Sequence, residues 1–181
     1  MSLPTTTYEN ALIELRNQIL RYSGLPNNFI LNGDSLYGPD VWKMITEMIG
    51  EAPELHDTFI IFEFKEIPND SFGITVDNAD IGALAPYGLF LKIYGEHCHE
   101  AAYKLAALFK VPQVVEVVRK SGIKIITTSL IGSLNEFING IRWPRCDIEI
   151  DVLCNFKVEL DNYDGDPYAE SIALPINILK D

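Results

Sequence analysis

The sequence has few cysteines, no long apolar run and little positive charge, and each shortage bears on the class of protein. Its 181 residues include three cysteines, Cys98, Cys146 and Cys154, an odd and widely spaced set that argues against a disulfide framework. No apolar segment is long enough to span a membrane. The first ten residues show no basic segment followed by an apolar one, so we expect no secretory signal and synthesis in a reducing cytoplasm.

Negative charge dominates, with 26 acidic residues against 14 lysines and arginines and a net charge of −12. An acidic surface repels phosphate and anionic lipid, so a protein that grips nucleic acid or a membrane is not expected. Two interpretations of the charge stay open. It provides solubility alone, or it forms an acidic wall past which DNA slides without sticking.

Catalytic and nucleotide-binding signatures are also missing. The sequence has no Walker loop, no glycine fingerprint for dinucleotides and no serine nucleophile elbow. We therefore expect neither an enzyme nor a bound cofactor.

The spacing of apolar residues predicts a mixture of helices and strands. Helices are predicted at Tyr8–Tyr22, Asp40–Ile49, His97–Lys110 and Pro112–Gly122. Strands are predicted at Phe29–Asn32, Thr58–Ile67, Phe72–Val76, Tyr87–Tyr94 and Ile123–Ser129. Small and turn-forming residues predict a loop at Asp77–Pro86, and Ser129–Ile138 is interpreted as a connector.

The strongest pattern is a long alternation from Arg145 to Leu160. Its apolar residues alternate with a polar set that includes Asp147, Glu149 and Asp151, so one face is buried and the other is wet and acidic. The run is much longer than the usual strand of about five or six residues, and such strands extend beyond their own sheet or pack against another subunit.

Strands grouped between helices predict an α+β fold, a mainly antiparallel sheet with helices packed on one face and a long C-terminal strand. We predict a single domain at residues 1–160 and a C-terminal extension at residues 161–181. The extension ends in an apolar strip, Ile172–Leu179, interrupted by Pro175, and it has little local reason to fold alone.

Two tryptophans and the apolar strip are the predicted contacts with other subunits, because exposed tryptophan and apolar segments tend to anchor interfaces. For Trp143, packing in the core is the alternative. The predicted interface residues are Trp42, Trp143, Ile172, Leu174, Ile176 and Ile178.

The segment Glu96–Glu100 is the only cluster that resembles a metal or catalytic site. Zinc takes His and Cys from two converging places, and no second such pair stands elsewhere in the sequence, so we predict no metal. Cys98 at a helix start would gain thiolate character, but the base and oxyanion site that a nucleophile needs are not evident. A small metal- or ligand-binding enzyme built on this cluster remains the alternative of another class.

The acidic row Asp147, Glu149 and Asp151 has its own alternative. Carboxylates two residues apart on a strand share a face, as ligands of a divalent cation would. A solvated strand face is the simpler interpretation.

Four passages together carry a family resemblance. They are the first helix with Gly24–Asn28 before a short strand, the strand end Leu91–Gly95 followed by the helix Ala101–Phe109, the connector Ser129–Ile138, and the long strand that starts near Trp143–Arg145 and alternates through Phe156. This layout resembles the neck or tail-terminator proteins of tailed bacteriophages, over residues 7–160.

The resemblance implies a structural virion protein, made in the host cytoplasm, that forms a ring on the head-proximal end of the tail tube. Such rings, commonly hexamers, end tube polymerisation and join the tail to the head connector. The implied partners are copies of the chain itself, the tail tube protein and the connector, while DNA passes through without sequence-specific binding. The acidic row Asp147, Glu149 and Asp151 would then line the channel. Another head–tail completion or tail-tube component is the nearest alternative.

Overall fold

A computed structural model of the protein describes residues 3–36, 40–68, 73–77 and 80–158. Within these residues the elements follow the order α1 (Tyr8–Ser23), β1 (Ile30–Asn32), α2 (Val41–Ile49), β2 (Phe59–Glu66), β3 (Gly73–Asp77), β4 (Asp80–Tyr94), α3 (Cys98–Leu108), α4 (Pro112–Lys120), β5 (Ile123–Ile138) and β6 (Ile141–Val158). Short 3₁₀ helices at Asn27–Phe29 and Gly33–Ser35 flank β1. In the described part of the chain, no helix is long and apolar enough to cross a membrane.

Caps and glycines set the ends of the first two helices. The side chains of Thr7 and Asp40 each accept a hydrogen bond from a backbone N–H in the first turn of α1 and α2. Gly24 and Gly50 end these helices in left-handed conformations, with φ angles of 75° and 96°.

The described strands form one sheet in the order β1-β2-β4-β6-β5, with β3 paired to the part of β4 that β2 does not reach. The β1–β2 pair is parallel and the other pairs are antiparallel. The α+β prediction is therefore confirmed, together with its long C-terminal strand.

The larger core lies between one face of the sheet and the helices α1, α3 and α4. It joins helix residues such as Leu15, Leu105 and Val118 to strand residues such as Leu89, all fully buried. The even-numbered residues of β6 from Cys146 to Cys154 face this core. The predicted alternation of β6 is thus the pattern of a strand buried on one side.

A second, smaller core lies on the opposite face under α2. It contains Leu31, Ile45, Phe59, Tyr94 and Trp143, each buried. The prediction that the helices pack on one face is therefore wrong for α2. The reason is that β1 and β2 carry apolar residues on both faces, and both faces must be covered.

The loop predicted at Asp77–Pro86 is wrong, because β4 already begins at Asp80. Small residues favour a loop locally, but the pairing with β3 on one side and β6 on the other overrides them. A side chain at Gly82 would overlap the amide of Asn155, so close approach requires glycine there. The oxygen of Pro86 accepts from Ile67 where β2 has ended, so the missing N–H of Pro86 breaks no ladder bond.

The connector predicted at Ser129–Ile138 is also wrong, since β5 runs through it and returns as β6 from Ile141. Register shifts at Ile125/Thr127 and Leu130/Gly132 interrupt the alternation of apolar and polar residues in β5. The apolar spacing therefore does not predict a strand over its second half. The predicted division at residue 160 stays a prediction, because residues 159–181 lie outside the described part.

Candidate assembly surface

The hairpin of β5 and β6 extends beyond the rest of the sheet. The last pair that β4 makes with β6 is Tyr94 opposite Arg145. Beyond it, the strands pair only with each other, from Asn135 opposite Pro144 to Ile138 opposite Ile141. We call residues 135–144 the hairpin arm.

Trp143 fixes the arm to the body of the protein. Its side chain is 0% exposed, and its ring centroid lies 5.4 Å from that of Phe59 and 5.6 Å from that of Trp42. The prediction of a subunit contact at Trp143 therefore gives way to its alternative, packing in the core. Trp42 is half-buried above it and keeps part of its surface accessible.

A polar network surrounds Arg145 at the base of the arm. Its guanidinium donates to both carboxylate oxygens of Asp147, at 2.7 and 2.6 Å, and to Glu136 at 2.5 Å. The hydroxyl of Tyr94 donates to the same oxygen of Glu136 at 2.6 Å. These bonds hold Glu136 of the arm against β6 and against Tyr94 of β4.

The pKa shifts of Arg145, Glu136 and Tyr94 indicate that each group keeps one protonation state at neutral pH. The hydrogen bond to Asp147, more than any other contact, raises the pKa of Arg145. Burial alone would raise the pKa of Glu136, but the hydrogen bonds from Tyr94 and Arg145 outweigh it and leave the pKa below its ordinary value. Burial, with the bond to Glu136, raises the pKa of Tyr94. Glu136 is thus a carboxylate and Tyr94 a neutral donor at neutral pH.

The outer edge of β5 is an exposed apolar edge. In the described residues β5 pairs with β6 alone, so its other edge has no strand partner. No charged residue stands between Lys124 and Glu136. The exposed apolar side chains of β5 and of the first residue of β6 are Ile126 (53%), Ile131 (56%), Leu134 (47%), Phe137 (74%) and Ile141 (40%). Single-chain proteins usually protect such an edge with charges, so this edge is suited to pairing with another chain.

A cleft adjoins the arm on the side of α2. Its volume is about 340 Å³, and its lining includes Trp42, Tyr94, Glu136, Phe137 and Ile138. The cleft and the β5 edge meet at the exposed ring of Phe137. Together the β5 edge, the arm and this cleft form a candidate assembly surface.

The predicted acidic row lies on the sheet face opposite α1, α3 and α4, and its members are half-buried. Asp147 is bound by Arg145, and the hydroxyl of Thr127 donates to Asp151. Glu149 stands opposite Phe90 and Ser129 on the flanking strands.

The row does not converge on a point. Among the described residues the three carboxylates form no candidate ligand group for a cation. The guanidinium of Arg145 neutralises Asp147. Among the described residues, the negative charge of the row that has no ion-pair partner is therefore carried by Glu149 and Asp151.

The Glu96–Glu100 segment forms the turn into α3. Cys98 is 0% exposed, so a substrate does not reach its thiol and the nucleophile interpretation loses its support. The fold adds Cys146, whose sulfur lies 3.7 Å from that of Cys98 and 3.3 Å from Nδ1 of His99. Burial raises the pKa of Cys146 to about 12, so that thiol is protonated at neutral pH.

The arm is not among the predicted elements, although a local signal for it is present. Asn139 and Gly140 have φ angles of 51° and 74° and connect β5 to β6. Asn-Gly between two apolar runs is a strong signal for a two-residue hairpin turn. The predicted contacts Ile172, Leu174, Ile176 and Ile178 lie outside the described residues.

Comparison with known proteins identifies one family. The family model described as phage neck terminator protein matches residues 30–180. The match therefore extends past residue 160, where the resemblance in the sequence analysis ended. No curated protein matches the chain.

Proposed function

The chain belongs to the phage neck terminator family, and we propose that its copies close into a ring that caps the head-proximal end of the tail tube. Membership makes it a structural protein of head–tail assembly and places it in the virion neck or tail. The proposed ring ends tube polymerisation and offers its other side to the head connector. In the proteins that the sequence resembles, such rings are commonly hexamers. The subunits are made in the host cytoplasm.

The observation that carries the proposal is the apolar β5 edge, which no other described strand pairs with, and its projecting arm. Phe137, at 74% exposure, is the most exposed large apolar residue that the structure describes. One compact monomer leaves this surface in water at a cost of about 25 cal/mol for each Å² of apolar area. A neighbouring copy removes that cost.

Ring closure requires two different patches on each subunit, because head-to-tail contacts pair one patch with another. The β5 edge supplies one patch. We assign the other to the apolar strip of the next subunit, whose predicted contacts Ile172, Leu174, Ile176 and Ile178 recur at every second residue. That period is the one required of a strand that adds to an open sheet edge.

Deleting residues 172–181 removes the second patch, so we expect the purified chain to lose most of its self-association. The body should keep its thermal midpoint, because the described core ends at β6. Sedimentation velocity at matched concentrations measures the first effect and far-UV circular dichroism the second. Deletion of Lys180 and Asp181 alone is the matched control and leaves the strip intact. Normal rings from the longer truncation would contradict the assignment.

We assign the sheet face that carries Glu149 and Asp151 to the ring channel. An acidic wall binds no phosphate, so no counterions are released and DNA slides past without being held. The net charge of −12 supports this assignment.

Charge reversal at Glu149 and Asp151 should turn the channel into a DNA-binding surface. We expect the double lysine variant to retain double-stranded DNA in a filter or mobility assay, with affinity that falls steeply as salt rises. The wild-type protein should show no retention under the same conditions.

The matched control reverses two exposed carboxylates in the helical layer, Glu9 and Glu100, which changes net charge by the same amount. Equal DNA retention by both variants would show that net charge alone is responsible and would remove the channel assignment.

Binding partners separate a terminator from other head–tail components. The proposed function requires the assembled chain to bind both the tail tube protein and the head connector. Co-sedimentation with each purified partner tests this requirement. Incorporation along the tube, instead of binding at its end, would favour the alternative of a tail-tube component.

A further inference from the structure

Three potential metal ligands meet where α3 packs on β6. The sulfurs of Cys98 and Cys146 lie 3.7 Å apart, and Nδ1 of His99 lies 3.3 Å from the sulfur of Cys146. The ligand atoms of the three residues all lie within 4.8 Å of one another. Both cysteines are buried, at 0% and 1% exposure, while His99 is exposed.

The backbone fixes this meeting point. Gly95 turns the chain from β4 into α3 with a φ of 113°, and its N–H donates to the oxygen of Pro144 at 3.1 Å. The N–H of Cys98 donates in turn to the oxygen of Gly95 at 3.1 Å. The start of α3 is thereby tied to the β6 segment that leads into Cys146.

The distances agree with those of a soft or borderline cation held by sulfur and nitrogen. A tetrahedral zinc ion with Zn–S bonds of about 2.3 Å and a Zn–N bond of about 2.0 Å places two sulfurs about 3.8 Å apart, and sulfur and nitrogen about 3.5 Å apart. Thiolate and imidazole donors without carboxylates favour zinc over calcium or magnesium.

We propose that Cys98, His99 and Cys146 bind one Zn²⁺ ion. The two buried sulfurs bind the ion from the protein interior. The exposed His99 ring turns toward Cys98 and supplies the third protein ligand. The fourth position faces solvent on the His99 side. Binding replaces two thiol protons, which are released to water as the two S–Zn bonds form.

The ion would join α3 to β6 one residue away from Arg145, at the base of the hairpin arm. It would therefore fix the arm relative to the helical layer. This role is separate from ring closure, since the three ligands all belong to one subunit and the assembly surface contains none of them.

The test uses the full chain, reduced and freed of metal by dialysis against a chelator, with Co²⁺ as a spectroscopic probe. We expect one equivalent of Co²⁺ to bind, with near-ultraviolet thiolate-to-metal absorption and the visible bands of tetrahedral cobalt. Zn²⁺ should displace it and raise the thermal midpoint.

Variants identify the ligands. Cys98→Ser, Cys146→Ser and His99→Ala should lose cobalt binding at micromolar concentrations. Cys154→Ser is the matched control, because Cys154 is a buried thiol on the same strand outside the ligand group, and it should bind as the wild type does.

A wild-type protein with three titratable thiols and no cobalt absorption would show hydrogen-bonded thiols only and overturn the proposal. So would loss of two thiols to a disulfide without metal uptake, or binding that survives in the three ligand variants. If a serine variant does not fold, the wild-type spectrum and the exposed His99→Ala variant decide the question. Failure here leaves ring assembly untouched, because ring mass is measured without added metal.

Discussion

Lysine at both Leu134 and Phe137 leaves the chain folded and abolishes its self-association. Both side chains are exposed in the monomer, at 47% and 74%, so their replacement removes no core packing. Burying each at a subunit contact contributes about 2 kcal/mol. Losing both weakens each contact by about 4 kcal/mol, roughly a thousandfold in affinity. The buried lysines add a desolvation cost to that loss.

Native mass spectrometry gives the oligomer distribution, and the thermal midpoint reports the fold. The matched control places lysine at Ile13 and Tyr103, which are comparably exposed, at 55% and 64%, but lie on helices of the other layer. Those substitutions should leave the rings intact. If instead the helix variant dissociates and the hairpin variant assembles, the assembly surface has been placed on the wrong face.

Alanine at Gly95 should destabilise the fold strongly. A φ of 113° is strained for any residue with a side chain. The added carbon would also overlap the carbonyl oxygen of Asp57 and lie 3.0 Å from its carbonyl carbon. The backbone would have to move, which breaks the bonds from Gly95 to Pro144 and from Glu96 to Leu55. Strain and overpacking together cost about 4 kcal/mol.

Urea unfolding compares this variant with Gly132→Ala. Gly132 has a φ of 125° but no atom within 4 Å of an added carbon, so only the conformational strain applies, about 1 to 2 kcal/mol. The difference between the two variants isolates the contact with Asp57. Equal losses would show that the turn at Gly95 is able to relax and that it does not hold α3 against β6.

The spacing of apolar residues was sufficient to predict an element where the residues of that element alone determine its conformation. The apolar stripe of α1 and the buried half of β6 both follow from spacing alone. Pattern failed at the start of β4, where Gly82 is required by the amide of Asn155, distant in sequence. It failed again in β5, where two register shifts disrupt the alternation.

The ligand cluster shows the same limit at the level of a site. Cys98 and His99 were recognised as donors, but their partner Cys146 lies far along the chain and meets them only through the β4–β6 register and the turn at Gly95. Trp143 illustrates the converse. Its neighbours in sequence do not reveal that Phe59 and Trp42 cover it. The sequence therefore does not decide whether the Trp143 side chain is exposed or buried.

Native mass spectrometry of the purified chain, combined with two-dimensional class averages, decides whether copies of the chain close into a ring. The surface that the described residues leave open along β5 predicts closed rings of one size, six copies by family resemblance, that persist on dilution into the micromolar range. A chain that stays monomeric at high concentration, and also beside the tail tube protein and the connector, would contradict it.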